Sequence, residues 1–244
     1  MTIVEVLVAI GVIGVLIGIT LPALRGARDV GREVVCLSNL RGIGLSVDAY
    51  AEANGDEYPF LPMTDEPQFL PASPDGPRGT FSITVWTWGL WKNWPMLMHD
   101  VAPWREHFPS WVCPGAERGE EGPWAEADDA DALDASLSSY AYSMSFVASP
   151  AVWSGSARAD RALVRPTHRA DVAHPAQKVV FFDREMAHLS VRDHARLDLR
   201  PMLFADGHSA VRSLEAAREP VRNPFTQAAL RLHDTPDGVL GRDY

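Results

Sequence analysis

The chain has 244 residues, a formal net charge of −10 and 46% hydrophobic residues. That length suits one large domain or two small ones, and the hydrophobic content is enough for a core. Because a general nucleic-acid binder carries a basic surface, the acidic balance argues against that class, and we predict no specific nucleic-acid binding.

The N-terminal segment is almost entirely apolar. Between Ile3 and Leu24 the only ionisable side chain is that of Glu5, and about 20 such residues in a helix span the hydrocarbon of a bilayer. A secretory signal would have a basic region before the apolar run and a small-residue cleavage site after it. A core helix is rarely this apolar over this length. We therefore predict a membrane-spanning helix over residues 1–24.

Glu5 is the anomaly in this segment. A carboxylate in hydrocarbon costs on the order of 2.5–3.5 kcal/mol on insertion scales, and no Lys or Arg lies within the segment to pair with it. The nearest cation is the α-amino group of Met1, which sits at the helix end and does not easily fold back. A neighbouring, axially shifted copy of the helix could present its amine to Glu5. We therefore hypothesise that the helix packs into an assembly.

Other residues in the segment fit helix packing. Gly14 and Gly18 form a GxxxG pair, which is typical of closely packed membrane helices, although glycine is common in such helices anyway. Pro22 removes one backbone donor and predicts a kink or local unwinding around residues 18–22. Arg25 and Arg28 follow the apolar run and would place the chain in the cytoplasm, unless a basic leader before Met1 has been removed.

After Leu24 the sequence becomes amphipathic, and Asn54-Gly55 is a typical helix stop. The predicted result is one helix over about residues 2–54, about 80 Å long, with residues 55–244 forming a globular domain on its second half. The apolar stripe that would face this domain comprises Val30, Val34, Leu37, Leu40, Ile43, Val47 and Tyr50.

The middle of the chain contains a proline-rich stretch, a tryptophan cluster and an acidic run. Prolines throughout residues 56–80 predict a loop or extended segment, and alternation over residues 81–85 predicts a strand. The four tryptophans that follow favour core and subunit-interface packing, with a sugar- or surface-binding platform as the alternative; they are Trp86, Trp88, Trp91 and Trp94. The acidic run over residues 117–134 lacks the spacing of an EF-hand calcium loop, so we predict a solvated surface loop.

In the C-terminal half, apolar and alternating stretches predict strands over residues 177–183, 187–192 and 200–206. Asp206-Gly207 predicts a hairpin with a return strand after it. A short helix is predicted over residues 223–233. The fold class is therefore α+β, a long helix packed on an antiparallel sheet.

Catalytic and metal-binding signals are weak. We predict no metal, because no pair of candidate ligands has a recognised spacing and turn geometry accounts for Asp-Gly-His. The weak candidates are Asp183, His194, Asp206 and His208, with His188 nearby. The sequence contains no nucleophile elbow, phosphate-binding loop or His-Glu-x-x-His motif. We predict no cofactor and no enzymatic activity.

Cys36 and Cys113 are too few for a disulfide-framed miniprotein and do not form a Cys-x-x-Cys pair. Two alternatives stay open. If the chain is exported, the two residues form one disulfide that staples the globular part to the helix. Otherwise they are buried thiols.

The stretch MTIVEVLVAIGVIGVLIGITLPALRGAR resembles the N-terminal helix of type IV pilins and pseudopilins. Met1, Thr2, Glu5 and Pro22 match that family's pattern in place, with Met1 where Phe is usual. The resemblance implies the pilin-like fold, a prepilin peptidase that also methylates the new amino terminus, an assembly ATPase and a platform protein.

A second resemblance covers short segments of the rest. HPAQKVVFFD, RPMLFADGHSAVR, WVCPGA and SYAYSMS are similar to segments of a large prepilin-like bacterial family that has a His, a spacer and Asp-Gly near its C-terminus. Eleven residues separate His194 from Asp206 here, where nine are usual. This resemblance supports fold and export.

The expected function is that of a homo-oligomeric structural subunit of a type IV pilus-like filament. It would wait in the inner membrane and then polymerise through Met1, Glu5, Gly14, Gly18 and Pro22 into an extracellular filament. Close alternatives are a pseudopilin of a type II secretion system and a minor pilin. The alternative from another class is a membrane-tethered ligand-binding domain.

Overall fold

The computed structural model describes residues 2–66, 68–71, 82–85, 87–98, 100–114, 138–184 and 198–244. It contains a long N-terminal apolar helix and a four-stranded antiparallel sheet in the C-terminal part. The predicted α+β class is confirmed at this level. The acidic run and the strand expected over residues 187–192 lie outside the described residues, as do Met1, Trp86, His188 and His194.

The helices and strands follow one another in a simple order. The helices are α1 (Ile3–Ala53), α2 (Leu90–Asn93) and α3 (Trp104–Trp111). The strands are β1 (Gln68–Pro71), β2 (Ser82–Val85), β3 (Tyr140–Tyr142), β4 (Val179–Asp183), β5 (Leu199–Phe204) and β6 (Ser209–Ser213). β1 and β2 pair with each other, and the other four strands form one sheet in the order β3-β4-β5-β6, each antiparallel to the next.

β1 lies inside the proline-rich stretch that we predicted to be a loop or an extended segment, and residues 68–71 of that stretch pair with β2. Pro71 is compatible with this strand because it lies at the strand end, opposite Ser82. A proline is tolerated at an edge where its missing N–H leaves no ladder bond unmade.

α1 is a continuous α-helix of 51 residues, about 77 Å long. Thr2 is its N-cap and Asn54 its C-cap. The chain then reverses through Gly55 and Asp56, whose φ angles of +67° and +68° lie in the left-handed region. The helix runs unbroken through Pro22, so the local unwinding expected there is absent from this state of the protein.

Among the residues whose burial the structure describes, the buried part of α1 is its C-terminal part. The first residue of α1 that the structure describes as buried is Cys36, and the buried stripe continues through Leu40, Ile43, Val47 and Ala51. Val30 and Val34 are 53% and 60% exposed, so the prediction that they face the domain is wrong. Helical periodicity identifies the face that is apolar, but it does not show where along the helix a partner begins.

The sheet lies between α1 and the C-terminal segment, because strand residues alternate between the two faces. Phe181 and Leu203 belong to the core that contains α1. Phe182 and Met202 point to the other side and pack with Leu232 in a second core. The chain therefore has three layers: α1, the sheet and the C-terminal segment.

The helix predicted over residues 223–233 does not form, because this segment is a succession of turns. Asn223 Oδ1 accepts the N–H groups of Phe225 and Thr226 at 2.9 and 3.4 Å. Gln227 and Leu232 have positive φ angles of 61° and 66°. An Asn side chain that binds the following N–H groups competes with helical hydrogen bonding.

Candidate functional site

The N-terminal half of α1 forms a large exposed apolar surface. Fourteen large aliphatic side chains between Ile3 and Leu24 are exposed, and the most apolar window of α1 has a mean hydropathy of 2.6 with none of it buried. At about 1.5–3 kcal/mol per side chain, covering them is worth on the order of 20 kcal/mol. Residues 3–24 extend about 33 Å, enough to cross a membrane by length and composition, a test that a signal sequence also passes.

Glu5 has a partner within its own helix. Its Oε2 accepts the backbone N–H of Thr2 at 2.8 Å, and its own N–H donates to Thr2 Oγ1 at 3.3 Å. This reciprocal pair is a capping box, and its Thr-x-x-Glu signature was present in the sequence but overlooked there. A carboxylate offers about four acceptor positions. Glu5 therefore keeps capacity for a second donor while it caps the helix.

Gly14 and Gly18 lie one turn apart on open helix surface. A Cβ at either position would meet nothing within 4 Å, and the same is true of Gly11. These three glycines share one helix face at spacings of three and four residues. They form a shallow notch that a second helix backbone could approach closely.

Cys36 and Cys113 meet in the core between α1 and the segment that follows α3. Their sulfurs are 3.3 Å apart, and the two side chains are 0% and 1% exposed. At this distance the two sulfurs are in contact and are not bonded to each other in this structure. Cys36 Sγ also lies 3.9 Å from Asp183 Oδ2, and the ligand-type atoms of all three residues lie within 4.8 Å of one another.

The weak metal candidates fall in different places. β4 pairs with β5 so that Val179 lies opposite Phe204, which puts Asp183 and Asp206 near opposite ends of the two strands. Four to five residues at about 3.3 Å each separate them, about 15 Å, so they do not share an ion. His208 Nδ1 lies 2.5 Å from Asp206 Oδ1 in the β5–β6 turn.

A buried polar cluster that sequence reasoning missed joins the C-terminus to the sheet. Lys178 is fully buried, and its Nζ donates to Ser145 Oγ at 3.0 Å and to Thr235 Oγ1 at 2.9 Å. It also pairs with Asp243 Oδ1 at 3.4 Å. Burial lowers the pKa of Lys178, and the neighbouring Asp243 opposes that shift. The sequence clue was a lone lysine directly before an apolar strand.

His233 lies beside this cluster as a neutral base. Its Nδ1 accepts the backbone N–H of Met144 at 3.2 Å, so that nitrogen carries no proton. Burial, aided by the positive charge of Lys178, lowers the pKa of His233 to about 3. The ring packs edge-on against Phe182 with its centroid 5.1 Å away. The arrangement suits a structural role.

The described tryptophans of the cluster divide into two environments. Trp94 is fully buried and donates from Nε1 to the carbonyl of Tyr140 at 2.9 Å, as the packing interpretation predicts. Trp88 and Trp91 are half-buried and line a cavity of about 510 Å³ that also touches His233. The guanidinium of Arg184 lies 5.2 Å above the Trp91 ring.

Comparison with known proteins adds no relative to this picture. No protein-family model, no curated protein and no solved structure matches the chain.

Proposed function

We propose that this chain is a structural subunit of a type IV pilus-like filament that polymerises through the N-terminal half of α1. One observation carries the proposal. α1 is a single helix whose C-terminal part is built into the core while its N-terminal part projects with its apolar side chains exposed. Because covering this surface is worth on the order of 20 kcal/mol, we expect it to lie in lipid or against protein.

The occupant that we propose for this surface is first lipid and then further copies of the same helix. The apolar length of about 33 Å matches the hydrocarbon thickness of about 30 Å. Gly14 and Gly18 leave open space for a second backbone. Contacts between axially shifted copies are head-to-tail, and such contacts produce an open helical filament unless the rotation closes a ring.

Glu5 has a proposed function in both states. In lipid its hydrogen bond from Thr2 N–H and its position at the positive end of the helix dipole reduce the cost of burial. In the filament the remaining acceptor capacity of the carboxylate binds the amino terminus of an adjacent copy. The prepilin peptidase, the assembly ATPase and the platform protein remain implications of the resemblance.

Substitution of Glu5 separates capping from assembly. Glu5→Gln keeps an acceptor for Thr2 N–H but removes the charge, so we expect normal membrane insertion and a folded domain with at least a tenfold loss of sheared filaments. Thr2→Ala removes the cap, at about 0.5–2 kcal/mol, but retains the charge, and we expect filaments to persist. Electron microscopy and carbonate extraction of membranes give the two readouts.

The outcome that would contradict this proposal is wild-type filament yield from Glu5→Gln, or a full-length chain that stays monomeric in detergent at high concentration. A pseudopilin or minor pilin is separated from a major pilin by subunit abundance. Mass spectrometry of sheared filaments measures that abundance and also shows whether Met1 is methylated.

A membrane-tethered ligand-binding domain is the second candidate, and the cavity beside Trp88 and Trp91 favours it. Its volume of about 510 Å³ lies within the range of small-molecule sites. If this is the function, Trp91→Ala abolishes binding in an oligosaccharide array, whereas Glu5→Gln leaves binding intact. Binding that Trp91→Ala leaves unchanged counts against this candidate.

A further inference from the structure

We propose that Cys36 and Cys113 close to a disulfide after export, and that this bond fastens the first packed turn of α1 to the globular part. The inference rests on the exported location in the proposed function, because disulfides persist in oxidising compartments. It goes beyond that function by assigning a covalent modification and a mechanical role to a specific pair.

The distance between the two sulfurs favours a disulfide over a metal site. They lie 3.3 Å apart, whereas two thiolates on a tetrahedral zinc, each about 2.3 Å from the metal, lie about 3.8 Å apart. A disulfide needs about 2.05 Å, so each sulfur moves only about 0.6 Å, within reach of small side-chain rotations. Asp183 supplies a third ligand-type group within 4.8 Å of both sulfurs, so bound zinc is a named outcome of the test.

The position of Cys36 along α1 determines which contact the bond would reinforce. About 50 Å of helix extends beyond it toward the N-terminus, and none of residues 2–35 is described as buried. A force on that projecting half, applied by neighbouring subunits, therefore acts first on the turn that contains Cys36. Leu40 and Ile43 lie deeper along the same buried stripe. A covalent bond at this turn opposes peeling at the point where it would begin.

Cys113 is held on the other side by the sheet. It follows Trp111, whose carbonyl accepts the backbone N–H of Ser139 at 3.0 Å and the hydroxyl of Ser138 at 2.8 Å. Those serines lead directly into β3. The bond therefore connects α1 to a segment that is itself tied to the sheet, which makes it a helix-to-sheet fastener.

The chemistry is thiol–disulfide exchange with a protein disulfide donor of the thiol-oxidase class. A cysteine thiolate attacks the donor disulfide, a mixed disulfide forms and one donor thiol leaves. The second cysteine then attacks the sulfur of the first, and the second donor thiol leaves. Two electrons and the two cysteine protons pass to the donor. Because both thiols are buried in the folded chain, the first attack precedes final docking of α1.

The test uses the full-length chain in detergent, purified from membranes with N-ethylmaleimide present from lysis onward. Under denaturing conditions we expect no adducts before reduction and two after it, with a peptide containing Cys36 cross-linked to one containing Cys113. Two adducts before reduction, or one equivalent of zinc retained by the native protein and removed by a chelator, would overturn the proposal.

Matched variants address the mechanical role. In the wild type, reductant should increase amide hydrogen exchange over residues 36–43 at least tenfold. The double variant Cys36→Ser/Cys113→Ser cannot form the bond, so it should exchange quickly without reductant and should not respond to it. If reductant changes nothing in the wild type although the bond breaks, the fastening role is wrong.

Oxidation of the purified, reduced chain by glutathione disulfide separates this inference from the proposed function. The chain is reduced, unfolded and refolded in detergent with glutathione disulfide present, so that the thiols are accessible before α1 docks. Failure to form the bond during this refolding contradicts the geometric argument itself. Closure in vitro together with reduced thiols in cells contradicts export, and with it the filament proposal, while the geometry stands.

Discussion

At the scale of single residues, Glu5, Lys178 and His233 lie in apolar surroundings, and each has a hydrogen-bond partner. Glu5 forms a capping box with Thr2, at the start of a segment of α1 that has no other ionisable side chain through Leu24. Lys178 is fully buried and has two hydroxyl acceptors and Asp243. His233 is buried in its neutral form. Partners of this kind remove most of the cost of an isolated buried charge.

His233 makes stability depend on pH. Its pKa falls to about 3 in the folded state from an ordinary value of about 6.5, so the unfolded chain binds more protons between these values. We expect its contribution to be complete above pH 6.5 and to be lost as pH falls to 3, with a slope of about 1.4 kcal/mol per unit. Urea unfolding from pH 7 to 4 measures this slope.

The matched variants for this prediction are His233→Asn and His168→Asn. The first keeps an acceptor for Met144 N–H but cannot ionise, so the acid dependence should flatten. The second alters a histidine whose side chain is 49% exposed and should leave the slope unchanged. Equal slopes in His233→Asn and the wild type would show that the buried histidine does not drive the acid sensitivity.

At the scale of elements, α1 is one helix in two environments. Its last turns supply a buried stripe to the core, and none of its residues before Cys36 is described as buried. Gly44 permits close packing in the covered part, because Leu203 Cδ2 lies 3.2 Å from the position that a Cβ would occupy there. Val30 and Val34 lie just before the covered part and are exposed, so they are available to neighbouring subunits in the proposed filament.

Alanine substitutions along α1 should reveal where packing begins. Leu40→Ala empties a fully buried site and should lower the free energy of unfolding by about 2–5 kcal/mol. Val34→Ala, at a site that is 60% exposed, should change it by less than about 0.5 kcal/mol. Urea unfolding in detergent, followed by tryptophan fluorescence, measures both. Similar losses in the two variants would mean that the domain also covers Val34.

At the scale of the whole molecule, the protein consists of three layers with the sheet in the middle. The sheet has α1 on one face and the C-terminal segment on the other. Tyr244 packs against the second core, and its hydroxyl donates to the carbonyl of Ser213 at 2.8 Å. The globular part takes residues of α1 into its core, so it is not independent of the helix.

Two truncations distinguish the roles of the two halves of α1. A chain beginning at Gly26 retains the whole buried stripe and should be a soluble, folded monomer. A chain beginning at Gly55 loses that stripe, which contains Cys36, Leu40, Ile43 and Val47, and should not fold. Light scattering and circular dichroism measure the outcome. A folded chain from Gly55 would show that the domain closes its core alone.

The parts that the sequence predicted are those governed by local rules. The unbroken apolar run, the helical spacing and the Asn54-Gly55 stop predicted α1, and alternating apolar residues ending at Asp206-Gly207 predicted β4, β5 and β6. The Thr2–Glu5 capping box was equally local and was readable from four residues. β1 and the turns after Asn223 were missed, because strand pairing and side-chain competition with the backbone decide them.

The sequence alone determined that a long helix with one acid near its start would be apolar for its first half, because composition sets hydropathy whatever the rest of the chain does. Only the tertiary structure decided where the domain begins to cover that helix, that Asp183 joins Cys36 and Cys113 away from Asp206, and that Lys178 anchors the C-terminus. These depend on strand register and on contacts between residues far apart in the chain, which no local pattern encodes.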